Sequence, residues 1–433
     1  MPDSAFLIYL LPLLLIWSSY VLRRKMLQRH ARGIRDMAIA EGLTQPASLH
    51  PVIDANRCIG CRSCISACPE QHVLGLINDK ADLVNPTHCI GHGACKDACP
   101  MHAITLVFGT AERGVDIPLV SPQFETSMAG IYIAGELGGM GLIRNAIEQG
   151  RQAMASILKR GVQGGSDMLD VVIIGAGPAG ITATLSAHEK GLRYATLEQD
   201  SLGGTVAHFP RGKVVMTAPV VLPVVGNMNF REVSKENLLE FWEGVISRTG
   251  IVIQFNERVE SITSTDTGFS VKTSGNEFRT RTILLAIGRR GTPRKLGVPG
   301  EEKAKVVYRL IDPEQYRGQH VLVVGGGDSA LEAATSIAEQ AGTHVTLSYR
   351  SGSFSRAKEK NRQKVDAMRS SGRLSVMMSS NVQNIGDDHV EIDQDGKSVS
   401  LDNDAVIICA GGILPTPFLQ ATGIEVETKY GTA

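Results

Sequence analysis

Seven of the eight cysteines lie in two short runs, residues 58–69 and residues 89–100. The runs read CIGCRSCISACP and CIGHGACKDACP. Thiolates are soft ligands that suit iron–sulfur clusters or zinc. The first run has the spacing C-x2-C-x2-C-x3-C-P, which is typical of iron–sulfur sites, whereas zinc sites usually consist of paired CxxC motifs. The spacing therefore predicts iron–sulfur clusters and makes zinc the weaker alternative.

The two runs together predict two cluster sites. In this spacing the fourth cysteine of one run ligates the cluster of the other run. The first site is predicted to comprise Cys58, Cys61, Cys64 and Cys99. The second site is predicted to comprise Cys68, Cys89, Cys95 and, at the position where a fourth cysteine would stand, His92.

His92 leaves three interpretations of the second site open. The histidine ligates an iron through nitrogen, which would raise the reduction potential; or the cluster is a [3Fe-4S] form without a ligand at this position; or the site holds no cluster and His92 is a loop residue. Except at His92, the stretch resembles the bacterial dicluster ferredoxin fold over about fifty residues. The resemblance implies [4Fe-4S] clusters in a small α+β domain, which we place at residues 51–108.

Length and charge limit the alternatives further. With 433 residues the chain is too long for one domain, so two to four domains are expected. Lys and Arg number 44, as do Asp and Glu, so the net charge gives no support for a nucleic-acid partner. The cysteines follow one metal-binding pattern and are not spread as a disulfide framework, which indicates a reducing compartment.

The N-terminal stretch is strongly apolar. Residues 5–22 read AFLIYLLPLLLIWSSYVL and carry no charge, and about twenty apolar residues span a bilayer. Six basic residues follow between positions 23 and 35, which places the following domains in the cytoplasm by the positive-inside rule. The pattern predicts a transmembrane helix at 4–22, a basic linker at 23–50, and a single-pass protein of the inner (cytoplasmic) membrane. A short docking helix is the alternative.

A glycine motif between positions 170 and 180 indicates a dinucleotide site. The sequence DVVIIGAGPAG reads as a buried strand, a glycine turn and the start of a helix, and an acidic residue ends the next apolar run. The glycines allow a tight turn and close approach of a pyrophosphate, and the acid suits a ribose hydroxyl. The predicted contacts are Gly175, Gly177, Pro178, Ala179, Gly180 and Glu198.

A second glycine motif follows in HVLVVGGGDSALEAA, residues 320–334. Ala330 stands at the sixth place of the motif, where it still permits close packing. The next strand ends in an arginine, without Asp or Glu, and a cation there accepts a 2′-phosphate. This favours NADPH, with NADH as the alternative. The predicted contacts are Gly325, Gly326, Gly327, Asp328, Ser329, Arg350 and Arg356.

From residue 115 to the end, the chain resembles thioredoxin-reductase-like flavoproteins. Four stretches carry the resemblance: IYIAGE at 131–136, LGGT at 202–205, LLAIGRRGTPRKLGVPGE at 284–301 and AVIICAGGILPTP at 405–417. Members that reduce thioredoxin have a CxxC before the second glycine motif, whereas residues 305–327 contain no cysteine. The chain is therefore most similar to ferredoxin–NADP reductases of this type. The resemblance implies FAD, with further contacts at Gly135, Glu136, Gly203, Gly204 and Thr205.

The order of these stretches differs from that of the resembled family. There, a strand, an Ala-Gly-Asp turn and a helix follow the return strand AVIICAGGILPTP, whereas here the matching piece precedes the first glycine motif. We interpret this as a circular permutation, with completion of a neighbouring protomer as the alternative. The predicted divisions are a permuted FAD-domain segment at 109–165, an FAD domain at 168–290, an NAD(P) domain at 291–411 and a return to the FAD domain at 412–433.

The predicted fold class is α/β, with two Rossmann-like domains for FAD and NAD(P), preceded by a ferredoxin-like α+β domain and one transmembrane helix. The predicted function is a membrane-anchored oxidoreductase that passes electrons between NAD(P)H, FAD and the clusters, to or from an unidentified protein or membrane partner. The chemistry would come from the cofactors, without a catalytic side chain. The alternatives are a flavin monooxygenase or substrate dehydrogenase, with a substrate pocket near 214–230, and a non-catalytic redox sensor. A homodimer is one arrangement considered.

Overall fold

The structure is a computed structural model that describes residues 3–46, 49–70, 72–89, 91–138, 142–161, 168–289, 291–355 and 357–431, with side chains from residue 10 onward. The chain divides into two compact units. Unit 1 comprises residues 1–114, 353–362 and 429–433, and unit 2 comprises residues 115–352 and 363–428.

Unit 1 contains one long helix and a small cysteine-rich domain. Its elements are α1 (Asp3–Ala40), β1 (His50–Ile53), α2 (Ser63–Ala67), β2 (Leu74–Ile77), β3 (Lys80–Leu83), α3 (Ala94–Asp97) and β4 (Ile104–Val107). Strands β1 and β4 pair antiparallel, and so do β2 and β3. Asn78 and Asp79 form the β2–β3 turn with φ of 50° and 61°, a conformation that Asn and Asp tolerate better than most residues. Two antiparallel pairs thus enclose a core to which the cysteines contribute.

The basic half of α1 packs on the β2–β3 hairpin. Ala31 is buried with Ile77 and Val84, and a Cβ atom at Gly75 would lie 2.7 Å from the Ala31 Cβ. At the turn, the Nε of Arg24 lies 2.8 Å from a carboxylate oxygen of Asp79. The sequence pattern assigned these basic residues to a linker beside a membrane. In the structure, Arg24 instead forms an ion pair from a helix that packs on the hairpin.

No helix among the residues whose side chains are described is long and apolar enough to cross a membrane. The predicted transmembrane helix at 4–22 is therefore wrong, as are the fold class where it included this helix and the single-pass location in the cytoplasmic membrane. The corrected fold class is α/β.

Unit 2 comprises the elements from β5 to β26, and two of them, α8 and β26, extend into unit 1. The elements up to the linker strand are β5 (Val115–Pro118), β6 (Ile131–Ile133), α4 (Ile143–Lys159), β7 (Leu169–Ile174), α5 (Pro178–Glu189), β8 (Tyr194–Leu197), β9 (Val214–Met216), β10 (Val220–Leu222), β11 (Gly226–Met228), β12 (Glu232–Ser234), α6 (Lys235–Thr249), β13 (Val259–Thr265), β14 (Gly268–Thr273), β15 (Glu277–Leu285) and β16 (Thr292–Pro293). The remaining elements are β17 (Val306–Val307), β18 (His320–Val324), α7 (Asp328–Ala338), β19 (His344–Ser348), α8 (Glu359–Ser370), β20 (Leu374–Met377), β21 (Ser380–Ile385), β22 (His389–Gln394), β23 (Lys397–Asp402), β24 (Ala405–Ile408), β25 (Gly412–Ile413), α9 (Thr416–Ala421) and β26 (Val426–Lys429).

Two sheets organise unit 2: the first is mixed, with β13, β14 and β15 paired antiparallel and the other pairs parallel, and the second is parallel throughout. The first has the order β13-β14-β15-β7-β8, and β6 also pairs with β15. The second has the order β17-β24-β18-β19-β20. All four residues of β24 are buried, as are five of the six of β7, which is the near-continuous apolar pattern of strands covered on both faces. In each sheet, a glycine turn and a helix follow one strand, β7 in the first and β18 in the second, which is an arrangement typical of dinucleotide sites.

The segment 115–160 packs on the first of these two sheets within the same chain. Strand β6 pairs parallel with β15 in the register Ile131 opposite Ile283, and helix α4 packs on α5. Strand β5 pairs with β26, and Asp116 accepts hydrogen bonds from Thr416 at 3.1 Å and Thr428 at 2.8 Å. The two strand pairings and the hydrogen bonds of Asp116 thus connect this segment to residues that lie more than a hundred positions later in the chain.

Replacing Gly75 by Ala should loosen α1 from the hairpin. The new methyl group would overlap Ala31 and Val84, and overpacking of this kind costs about 1–3 kcal/mol. We expect faster amide hydrogen exchange across residues 26–40, measured by mass spectrometry on the anaerobically prepared protein.

The matched control is Gly33→Ala, in the exposed middle of α1, where a Cβ would meet no atom within 4 Å. Alanine favours a helix over glycine by about 1 kcal/mol, so exchange should slow there. Equal protection of α1 in Gly75→Ala and the wild type would contradict the packing argument.

Candidate functional site

The first cysteine site lies in unit 1 between α2 and β4. Cys58, Cys61, Cys64 and Cys99 line one cavity, which is the set predicted from the crossed runs. The Ala81 amide donates to the Cys58 sulfur at 3.4 Å and the Ala103 amide to the Cys99 sulfur at 3.3 Å. Amide hydrogen bonds to ligand sulfurs stabilise thiolates and tune the potential of a cluster.

The thiols of this site differ in their environment. Burial, together with the neighbouring Cys58 and Cys61, raises the pKa of Cys64 to about 11. Hydrogen bonds from Ser63 lower the pKa of Cys61. Because metals bind thiolates, loading this site must release the proton that burial holds on Cys64.

The second site lies on the other side of the same small domain. Cys68, Cys89, Cys95 and His92 line one cavity. Burial raises the pKa of Cys95 to about 11. The Nε2 of His92 lies 3.8 Å from the Cys68 sulfur, and burial lowers the pKa of His92.

The thiols that line both cavities are the ligands that iron–sulfur clusters take. In the part of the chain that the structure describes, no three His, Cys, Asp or Glu side chains converge closely enough to hold one metal ion. A cube has its irons at separate corners, each of which takes its own thiolate, so its ligands line a cavity without converging on one point. Cys68 and Cys99, the last cysteines of their runs, each lie in the cavity of the other run.

The first glycine turn of unit 2 connects β7 to α5. Gly175 has φ of 106°, and a Cβ there would lie 2.5 Å from the Ala286 carbonyl oxygen. A Cβ at Gly180 would lie 1.8 Å from the Gly175 carbonyl oxygen. Helix α5 starts with Gly177 and Pro178, so no side chain covers its first amides. A helix N-terminus with exposed amides is suited to a pyrophosphate.

Glu198 holds this turn in place. One carboxylate oxygen accepts from the Ala176 amide at 2.8 Å, and the other accepts from the Asp200 amide at 2.9 Å. Each oxygen retains a lone pair for a ribose hydroxyl. The acid predicted as a ribose contact therefore also positions the backbone of the glycine turn.

The remaining predicted FAD contacts are close to the same turn. A Cβ at Gly204 would lie 3.0 Å from the Gly177 Cα, and one at Gly135 would lie 3.2 Å from the Ala179 Cβ. Gly203 and Thr205 flank Gly204, within or beside the short helix Gly204–His208. Glu136 follows Gly135. Burial raises the pKa of its carboxyl group, and Arg289 opposes this shift.

The second glycine turn connects β18 to α7. Gly325 has φ of 145°, and a Cβ there would lie 2.4 Å from the Cys409 carbonyl oxygen. Gly327 precedes α7, which opens with Asp328 and Ser329. Arg350 follows β19 and is exposed. The other predicted arginine, Arg356, lies outside the described residues.

Sequence reasoning missed Tyr349 and the contacts between the two nucleotide domains. The ring of Tyr349 packs against Gly326, where a Cβ atom would lie 2.2 Å from the ring. The glycine in the middle of the motif was therefore the sequence signal that another group packs closely at this position. The loop after β8 forms ion pairs with the other domain, and only the fold places them: Asp200 with Arg309 at 3.4 Å, Arg211 with Asp312 at 3.3 Å, and Lys213 with Glu332 at 2.7 Å. In the suggested substrate pocket near 214–230, Leu222 and Met228 are core residues.

Residues 172–432 match the family Pyridine nucleotide-disulphide oxidoreductase, and residues 50–100 match a 4Fe-4S dicluster domain. Among curated relatives, the ferredoxin–NADP reductase of Ignicoccus hospitalis is 31% identical over 188 residues, which are 43% of this chain and 58% of that protein. The ferredoxin–NADP reductase of Thermus thermophilus is 28% identical over 275 residues, which are 60% of this chain and 78% of that protein. The chain thus spans a little over half the length of the first relative.

A solved structure, the bacillithiol disulfide reductase of Staphylococcus aureus, superposes with a TM-score of 0.53 at 23% identity. The superposition covers 60% of this chain and 81% of that protein, and it shows a common fold. The matches confirm the predicted cofactors, namely FAD, a pyridine nucleotide and a 4Fe-4S cluster, and the prediction that the protein is an enzyme. Since residues 172–432 are more than half of the chain, the chain belongs to the pyridine nucleotide-disulphide oxidoreductase family and is an oxidoreductase that carries a 4Fe-4S dicluster domain.

Proposed function

We propose that the protein is a ferredoxin–NADP reductase-type enzyme with its own dicluster ferredoxin domain, passing electrons between NAD(P)H, FAD and the clusters. One observation carries the proposal. Two cavities lined by crossed cysteine sets and two dinucleotide turns occur in one chain. Cys409 is the one cysteine outside the cluster runs, so the chain lacks the CxxC pair of the family members that reduce thioredoxin. The names of the curated relatives support the same reaction class.

The side chains would bind and orient the cofactors. The α5 amides would bind the FAD pyrophosphate, and Glu198 would bind the ribose while it holds the turn. FAD supplies the change from two-electron to one-electron transfer when it is bound. Helix α4 starts at Ile143 after Leu142, whose apolar side chain cannot cap it. The positive end of the dipole of this helix would favour negative charge on a flavin bound there.

Anaerobic reduction of the purified protein tests this proposal against its rivals. NADPH should bleach the flavin and then the clusters, and a one-electron dye should be reduced with turnover. Stable cluster reduction without turnover would favour a redox sensor. Product formation that depends on oxygen and an organic substrate would favour a monooxygenase. The physiological donor or acceptor, which we propose to be a separate redox protein, would be identified by its faster turnover.

We further propose that segment 115–160 supplies the flavin-contacting strand and helix of the FAD domain by circular permutation. The pairing of β6 with β15 in one chain supports this. So does the contact between α4 and α5, where a Cβ at Gly150 would lie 2.2 Å from the Ala179 carbonyl oxygen. The family match starts at residue 172 and does not include this segment.

Replacing Gly150 by Val should reduce FAD occupancy strongly, because the side chain would push α4 away from the first turn of α5. The FAD-to-protein ratio is measured by absorbance after anaerobic purification, and far-UV circular dichroism checks that the chain has folded. Gly244→Ala, on α6, is the matched control, because a Cβ there meets no atom within 4 Å. Full FAD occupancy in Gly150→Val would refute the role of this segment.

Replacing Arg350 by Ala should raise the KM for NADPH by about tenfold to a hundredfold, which corresponds to one lost charged hydrogen bond. The KM for NADH should stay unchanged, because NADH lacks the 2′-phosphate. Steady-state kinetics with a one-electron dye measures both values. Arg373→Ala is the control: Arg373 is exposed and precedes β20, so it lies at the opposite end of the parallel strands from Arg350, which follows β19. Equal effects on both nucleotides would contradict a 2′-phosphate contact.

A further inference from the structure

The second cysteine site differs from the first at one position. Cys68, Cys89 and Cys95 line its cavity with thiols, and His92 stands at the position that Cys61 has in the first run. The question is whether the imidazole binds iron or has another role. The answer rests on the proposed function and specifies the clusters that it includes.

The hydrogen bond to Nδ1 determines which nitrogen of His92 carries the proton. The backbone amide of Ala94 donates to His92 Nδ1 at 3.2 Å. A nitrogen that accepts uses its lone pair, so Nδ1 carries no proton, and in a neutral imidazole the proton must be on Nε2. A protonated Nε2 has no lone pair to give to iron. Histidines that bind metals show the reverse arrangement, in which the nitrogen not bound to metal donates its proton.

The local fold gives the His92 ring a structural role. Helix α3 starts at Ala94, and the preceding Gly93, with φ of 85°, has no side chain with which to cap it. The first amides of a helix lack partners within the helix. The His92 ring supplies the missing acceptor for the Ala94 amide. Turning the ring over to present an unprotonated nitrogen to the cavity would leave this amide without its acceptor.

The other nitrogen of the ring faces a ligand sulfur. His92 Nε2 lies 3.8 Å from the Cys68 sulfur, which is within reach of a weak N–H···S hydrogen bond. Such hydrogen bonds withdraw charge from a ligand sulfur and raise the reduction potential of the cluster. The ring therefore bridges the α3 amide on one side and the Cys68 thiolate on the other.

We propose that His92 donates a hydrogen bond to the Cys68 sulfur and does not bind iron. The second site is then held by three thiolates, those of Cys68, Cys89 and Cys95, and its resting cluster is a [3Fe-4S] cluster. The first site, with four thiolates, holds a [4Fe-4S] cluster. His92 is a positioning residue that caps α3 and raises the potential of the second cluster.

Electron paramagnetic resonance and Mössbauer spectroscopy of the intact, anaerobically purified protein test this directly. The wild type should contain one [4Fe-4S] and one [3Fe-4S] cluster. His92→Cys supplies a fourth thiolate and should convert the second cluster to the [4Fe-4S] form. His92→Ala should retain the [3Fe-4S] cluster, with its midpoint potential shifted to a more negative value. His102→Cys is the matched control, because His102 is exposed and close to Cys99, and it should leave the wild-type spectra unchanged.

Labelling the protein with 15N-histidine separates hydrogen bonding from ligation, because a nitrogen bound to iron shows a much stronger hyperfine coupling. Wild-type protein with two [4Fe-4S] clusters and a strong histidine coupling that His92→Ala removes would overturn the inference. A second site without iron, beside a loaded first site, would overturn it as well. Clusters of the predicted types that NADPH fails to reduce would leave the inference standing and refute the proposed function.

Discussion

The first turn of helix α5 is packed backbone to backbone, and the FAD domain depends on that packing. Side chains are excluded on three sides, by the Gly175 carbonyl oxygen below Gly180, by Gly150 of α4 against Ala179, and by Gly204 against Gly177. A side chain at Gly150 or Gly180 would overlap backbone atoms and force the elements to shift. The same exclusion leaves the α5 amides uncovered, so the packing that closes the domain also creates its anion site.

The cysteine-rich domain is built on a different constraint. It is small, and its core contains Cys58, Cys64 and Cys95 among a few aliphatic side chains, so cluster ligands and core residues are the same residues. Buried thiols hold their protons, and metal binding must remove them. Folding of this domain and assembly of its clusters are therefore coupled. The long helix α1 adds apolar surface to it by packing on the β2–β3 hairpin.

The two nucleotide domains meet through charged side chains. Arg309 is close to both Asp200 and His208, and Lys213 pairs with Glu332 on α7, the helix that follows the second glycine turn. Exposed ion pairs contribute little to stability individually. These ion pairs link the loop beside the first glycine turn to the helix that follows the second glycine turn. They therefore help to fix the orientation of the two turns relative to each other.

Motif spacing alone determined the chemistry of this protein. The crossed cysteine runs and the two glycine turns predict clusters and dinucleotides, because ligand geometry and tight turns admit few other residues at these spacings. The N-terminal helix shows the limit of local pattern. Apolar composition and a basic flank predicted a membrane span and a linker, but no helix among the residues with described side chains is long and apolar enough to cross a membrane. In the predicted linker, Arg24 pairs with Asp79 and Ala31 packs against Ile77, contacts that only the fold supplies.

The role of His92 was beyond the sequence for the same reason. Its type and position allowed three interpretations: a ligand to iron, a cluster without a ligand at this position, or a loop residue beside an empty site. The choice among them depends on which backbone amide donates to its ring. That amide belongs to Ala94, which is presented by the start of α3. The sequence by itself determined which residues carry the chemistry, because spacing is a local property. Tertiary structure decided which of them meet, because the partners of a side chain can be distant in the chain, as Cys68 is from His92.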